Sequence, residues 1–168
     1  MKMITLVSKE DEEYIYPIIY VTDFKWKGEP LSFLLHITIE DYVDSGEINK
    51  IGKIPLMDCD STSLRVFIEF SKIFEEEDLV EFTAPLISNK LSDMGIHQRY
   101  VDFLEEVYDN IGIKQLMKII EDMAYLQCSS LKHLIAAFIA SKIKHMDEDQ
   151  KKVFFGIKSE EACAGVGC

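Results

Sequence analysis

The thiols and imidazoles of this chain have the widest chemical reach, and their spacing decides what they can do. Cys128 and His133 are the nearest such pair, the combination that supplies a nucleophile and its base in thiol enzymes. Five positions apart across an expected helix start, they are not bound to face one another, and no acid that would orient the imidazole is identifiable. His36, His97 and His145 are scattered, so a zinc site would have to gather ligands from unrelated segments. Cys59, Cys128, Cys163 and Cys168 lack Cys-x-x-Cys spacing and the density of a small secreted scaffold, which predicts reduced thiols. The sequence holds no Gly-x-Gly-x-x-Gly, no phosphate loop, no Gly-x-Ser-x-Gly elbow and no His-Glu-x-x-His pair. The reading is a non-catalytic protein with no cofactor and no metal.

Composition sets the class of partner. The chain has 168 residues, 48% hydrophobic and 29% charged, as expected of a globular domain with or without an appended subdomain. Thirty acidic against 18 basic residues give a formal charge of −12. Such a surface repels phosphate backbones and anionic lipid, so neither nucleic acid nor a membrane is expected as partner. No apolar run reaches the roughly 18 residues of a bilayer span, and the amino terminus lacks the pattern of a secretory signal. Both features predict a soluble, intracellular protein.

The elements that would position any site follow from local pattern. Met3 to Val7 and Glu13 to Tyr20 read as two strands around a polar turn, and Pro17 keeps the second at an edge. Asp23 to Pro30 reads as a loop with Trp26 available to cover apolar surface. Leu31 to Tyr42 has helical spacing, although its β-branched residues also allow a strand. Ile51 to Met57 reads as a short strand, and Asp60-Ser61-Thr62-Ser63 offers caps for a helix carrying Leu64, Phe67, Ile68 and Phe74. Four adjacent acids, Glu75 to Asp78, predict that the chain leaves the core there, and Glu81 to Met94 reads as a surface loop. Removing 76–92 should then cost little, because loop closure depends weakly on length. Further on, three helices are expected: Tyr100 to Val107, Ile113 to Met123 and Leu131 to Ile143. A capping box at Asp147 and Gln150 starts a short fourth, which ends near Gly156.

The last two of these helical segments carry a surplus of apolar side chains: Leu131, Leu134, Ile135, Phe138, Ile139 and Ile143, then Val153, Phe154, Phe155 and Ile157. One reading is that they close the core. The other is that they form a surface awaiting a partner helix.

From Leu116 to Ile157 the chain resembles, without a gap, the carboxyl-terminal helices of the Skp-type adaptors of SCF ubiquitin ligases. Met123-Ala124-Tyr125-Leu126 stands for the family's Ala-Asn-Tyr-Leu. Leu131, Ile139, Ala140, Ile143 and Lys144 match its next helix, and Phe155-Gly156-Ile157 matches its closing Phe-Asn-Ile. Upstream, Met3 to Val7, Ile54-Pro55-Leu56 and the Leu64 to Phe74 helix are similar to the family's first strand, Val-Pro-Leu strand and following helix. Ala124 stands where the family has Asn. Gln127-Cys128-Ser129-Ser130 replaces its Asp-Ile-Lys-Gly, and Asp147-Glu148-Asp149-Gln150 replaces a Thr-Pro-Glu-Glu whose proline some members hydroxylate.

The resemblance implies an α/β (α+β) fold, a BTB/POZ-type domain with a small sheet flanked by helices plus a carboxyl-terminal helical extension. It implies a BTB/POZ-like domain over 1–126 with an acidic or irregular loop at about 75–96, an F-box-binding extension over 127–157 and a flexible tail over 158–168. The implied function is a bridge between a cullin and F-box substrate receptors in the cytoplasm and nucleus, with a homodimer as a form of the free chain. Leu131, Leu134, Ile135, Phe138, Ile139, Ile143, Phe154, Phe155 and Ile157 would meet the F-box, and Ala124 and Tyr125 the cullin. An elongin C-like or other BTB module, self-associating or binding a different helix and no longer engaging a cullin, is the alternative. The chain's continuation past Leu126, where elongin C-like chains stop, speaks against it.

Overall fold

Alternating side chains build a small sheet at the front of the molecule. The computed structural model describes residues 1–82 and 90–157. In β1 (Met3–Val7), Ile4 and Leu6 point into the core, and in β2 (Glu13–Pro17) Tyr16 does the same. The strands are antiparallel, with Met3 opposite Pro17, and β5 (Ile54–Pro55) lies parallel to the other side of β1, giving the order β2-β1-β5. Pro17 therefore sits on an edge strand, as its missing N–H requires. The second strand is shorter than its sequence suggests, because after Pro17 the chain turns into α1 (Ile19–Thr22) and buries Tyr20 and Val21.

Asp23 to Pro30, expected as a loop, forms a hairpin of β3 (Lys25–Trp26) and β4 (Glu29–Pro30). Lys27 and Gly28 both have positive φ, as a tight two-residue hairpin turn demands. Trp26 is buried against Phe82 and donates its indole N–H to the Val80 carbonyl at 3.4 Å.

Ser32 decides that the next segment is helical despite its β-branched residues. Its hydroxyl accepts the Leu35 N–H, capping α2 (Phe33–Asp44), and donates to the Leu126 carbonyl at 2.7 Å. Leu35 and Ile39, four apart, face the core. Asp60 caps α3 (Ser61–Glu76) by accepting the Ser63 N–H at 2.7 Å, and Leu64, Phe67 and Phe70 carry its buried face. Tyr16 reaches Ser71 on this helix, hydroxyl to hydroxyl, at 2.7 Å, which ties sheet to helix.

Glu75, Glu76 and Asp78 turn to solvent where α3 ends, but the chain does not leave the core there as expected. Glu75 and Glu76 remain in α3, Tyr20 donates to the Glu75 carboxylate at 2.6 Å, and Arg99 pairs with Glu76. Tyr100 donates to the Glu77 carbonyl, and Leu79 directly beyond is buried. Tyr20, Arg99 and His97 meet the carboxylates of Glu75, Glu76 and Glu77, so mutual repulsion does not expel the segment. On the far side of 83–89, Leu91 is buried in a short 3-10 turn, Leu91–Met94. The loop expectation for 83–89, including Pro85, Leu86 and Asn89, lies outside the described residues, as does the tail at 158–168 with Cys163 and Cys168.

Two of the expected helices form one long element, α4 (Gln98–Leu126), broken at Gly112. There φ is 75° and ψ 177°, a conformation essentially reserved for glycine. Then follow α5 (Ser129–Ile143) and α6 (Glu148–Phe155). The capping box at Asp147 and Gln150 is formed, and Gly156 ends α6 in the left-handed region. The whole is a mixed α+β fold with a small three-stranded sheet.

Candidate partner-binding surfaces

Helix α5 packs along α4, and this decides the fate of its apolar stripe. Leu131, Leu134 and Ile135 are fully buried, Phe138 is 1% exposed and Ile139 8%. The expectation that a second chain is needed to cover all of these is corrected: the length of α4 covers most of them. Phe138 meets the Tyr108 ring at 6.0 Å, and the Lys142 ammonium lies over both rings while holding both Glu105 oxygens at 2.7 and 2.8 Å. Ile143 is half-buried.

The short α6 folds back onto the same aromatic cluster. Phe154 stacks on Tyr108 at 6.1 Å and Phe155 stands edge-on to Phe154 at 5.1 Å, so both rings are half-buried. No side chain of α6 is fully buried, and Val153 and Ile157 are 81% and 59% exposed. Met146, Val153 and Phe154, flanked by Asp149 and Gln150, line a shallow groove of about 490 Å³. Of the nine side chains expected at an F-box interface, Ile157 alone is exposed. Val153, outside that set, is the most exposed apolar residue of α6, and its exposure could not be read before the docking of α6 was known.

A second concavity lies at the corner where α4 passes into α5. Gln127 takes positive φ to end α4. Phe33, Met123, Ala124, Ser129 and Lys132 line a pocket of about 430 Å³, with Glu29, Gln127 and Cys128 completing its wall. Ala124 is exposed and Tyr125 half-buried. Phe33 of this lining and Ile37, four apart on α2, are exposed; their apolar type at one helix face was the available signal.

The thiol and imidazole of the nearest pair do not meet. Cys128 is buried with its Sγ 3.6 Å from the Ser130 hydroxyl, whereas His133 is exposed, with its Nδ1 2.7 Å from the Ser129 carbonyl and its ring beside Trp26. Burial pushes the Cys128 thiol up to about 11. It pushes Cys59 up to about 12, helped by the negative charge of Asp122, a buried carboxylate held by Lys118 at 2.7 Å. Both thiols therefore stay protonated near neutral pH. Iodoacetamide at pH 8 should leave Cys59 and Cys128 unmodified in the folded chain and label both after denaturation, as peptide mass mapping would read. Rapid labelling of native Cys128 would contradict its burial.

Among the described residues no three His, Cys, Asp or Glu side chains converge as metal ligands, and no helix is long and apolar enough to cross a membrane. No protein-family model matches the chain, and no curated protein matches it at a significant level.

Proposed function

We propose that this chain is a non-catalytic adaptor of the SCF type with a BTB/POZ-like front domain, bridging a cullin to F-box substrate receptors. The observation that carries the reading is α6: a helix capped at both ends within itself, with no buried side chain, presenting Val153 and Ile157 beside an apolar groove. A helix that stabilises its own ends yet leaves apolar side chains in water is suited to receive a partner. The residue resemblance over 116–157 supports the choice of an F-box, and the separate pocket around Ala124 supports a second partner at the α4–α5 corner. The non-catalytic part of the reading draws on the separated Cys128 and His133.

Co-purification of the full chain with an F-box segment and with a cullin amino-terminal domain tests both ends. Val153→Asp and Ile157→Asp should each weaken F-box capture about tenfold or more with the melting temperature unchanged, as for a charge placed in a desolvated interface. Tyr125→Ala should weaken cullin capture and leave F-box capture intact. A parent chain that captures neither would overturn the adaptor reading. The substitutions at Ala124 and Gln127 to Ser130 favour a second reading, a BTB module that does not bind a cullin; F-box capture without cullin capture by the parent chain would select an adaptor detached from the ligase.

A further inference from the structure

Three consecutive acids open α6, and each has different surroundings. The Asp147 carboxylate accepts the Gln150 N–H at 2.8 Å and is held in the capping box. Glu148 is met by Lys151 at 3.9 Å and does not line the groove beside Val153. Asp149 does line it, is exposed, and meets no cation among the described residues. A carboxylate at Glu148 or at Asp149 equally favours the positive end of the helix, so the dipole does not explain a charge at the groove. The rest of the lining is Met146, Val153 and Phe154, with Gln150, whose side-chain oxygen accepts the Asp147 N–H at 3.0 Å. The groove is therefore an apolar trough with one unpaired negative charge at its side.

We infer that α6 selects its partner by charge as well as by shape: the helix it receives sets a large apolar side chain in the groove and an arginine or lysine against Asp149. The inference rests on the adaptor reading and adds to it the class of F-box that α6 accepts. Asp149 and Val153 stand one helical turn apart on one face, so the partner's cation and its apolar anchor lie about a turn apart as well. Arginine suits the position best, because its planar fork can hold both carboxylate oxygens and gives up water more readily than an ammonium. A charge of this kind discriminates between partners more than it adds affinity, and a helix with an acid there is rejected. Other occupants match poorly. A second copy presenting the same helix would set Asp149 against Asp149. The chain's own continuation over 158–168 has no apolar side chain larger than Val166 and brings Glu160 and Glu161, the wrong sign for Asp149.

Fluorescence anisotropy with the full chain tests the inference. The probe is a labelled F-box segment in two forms, identical except that the positions flanking its apolar helix stripe are all Arg or all Glu. Salt of about 150 mM screens charges more than roughly 8 Å apart, which limits the general pull of a chain of charge −12. The parent chain should bind the Arg form about tenfold or more tighter than the Glu form. Asp149→Asn should narrow that gap, and Asp149→Lys should invert the order. Glu148→Lys makes the same change of net charge at the neighbouring position outside the groove, and should keep the parental order and ratio. Equal binding of both forms by the parent, an order unaltered by Asp149→Lys, or an equal effect of Glu148→Lys would each overturn the charge selection and leave the adaptor reading standing. A parent chain that binds neither form would overturn both.

Discussion

Phe138→Ala is expected to lower the stability of the free chain by about 3 to 5 kcal/mol and its melting temperature by on the order of 10 °C. The ring is 1% exposed, packs on Tyr108 and lies under the Lys142 ammonium. Removing it leaves a cavity between α4 and α5 and takes away support from Tyr108, on which Phe154 of α6 stacks. Any loss of F-box capture by this variant should therefore follow loss of the fold. Thermal unfolding by circular dichroism, with capture measured on the same samples well below the transition, separates the two effects. A variant that melts with the parent and loses only its partner would show that Phe138 is a surface anchor after all. Val153→Asp supplies the contrast, because its side chain already stands in water.

Replacing 76–92 with a short Gly/Ser linker is expected to prevent folding, although loop-closure entropy alone would make the change inexpensive. The excised segment holds Leu79 and Leu91, both buried, each worth about 2 to 5 kcal/mol when truncated to alanine. It also holds the Val80 carbonyl that receives the Trp26 indole, the Glu77 carbonyl that receives Tyr100 and the carboxylate that pairs with Arg99. Together these approach the roughly 5 to 15 kcal/mol by which a domain is stable at all. Soluble yield and the helical signal of the deletion, compared with Leu79→Ala and Leu91→Ala, check the expectation. A deletion variant with parental melting would place both leucines outside the core.

The same two regions mark how far local pattern reaches. The edge position of Pro17, a cap within Asp60 to Ser63, the box at Asp147 and Gln150 and the stop at Gly156 were all legible, because each depends on a missing donor, a reachable N–H or a φ that only a few neighbouring residues set. Helical spacing likewise located α3 and α5. It could not say which faces would meet water. The stripe on α5 is apolar whether α4 or a partner covers it, and only the Tyr108–Phe138 contact, between residues far apart in the chain, decides. Leu79 and Leu91 belong to no periodic run, so nothing local distinguishes them from loop residues; Leu79 is flanked by carbonyls that Trp26 and Tyr100 hold, and the turn carrying Leu91 packs against α4 and α5. The acidic run looked expelled because repulsion is visible in sequence, whereas the Tyr20 and Arg99 side chains that answer it arrive from distant elements. At the candidate sites, residue types pointed to apolar recognition near the carboxyl end, and the resemblance alone pointed to Ala124 and Tyr125. The tertiary structure chose the exposed members, Val153 and Ile157 on one helix and Phe33 and Ile37 on another, since exposure is a property of what packs nearby and not of the residue itself.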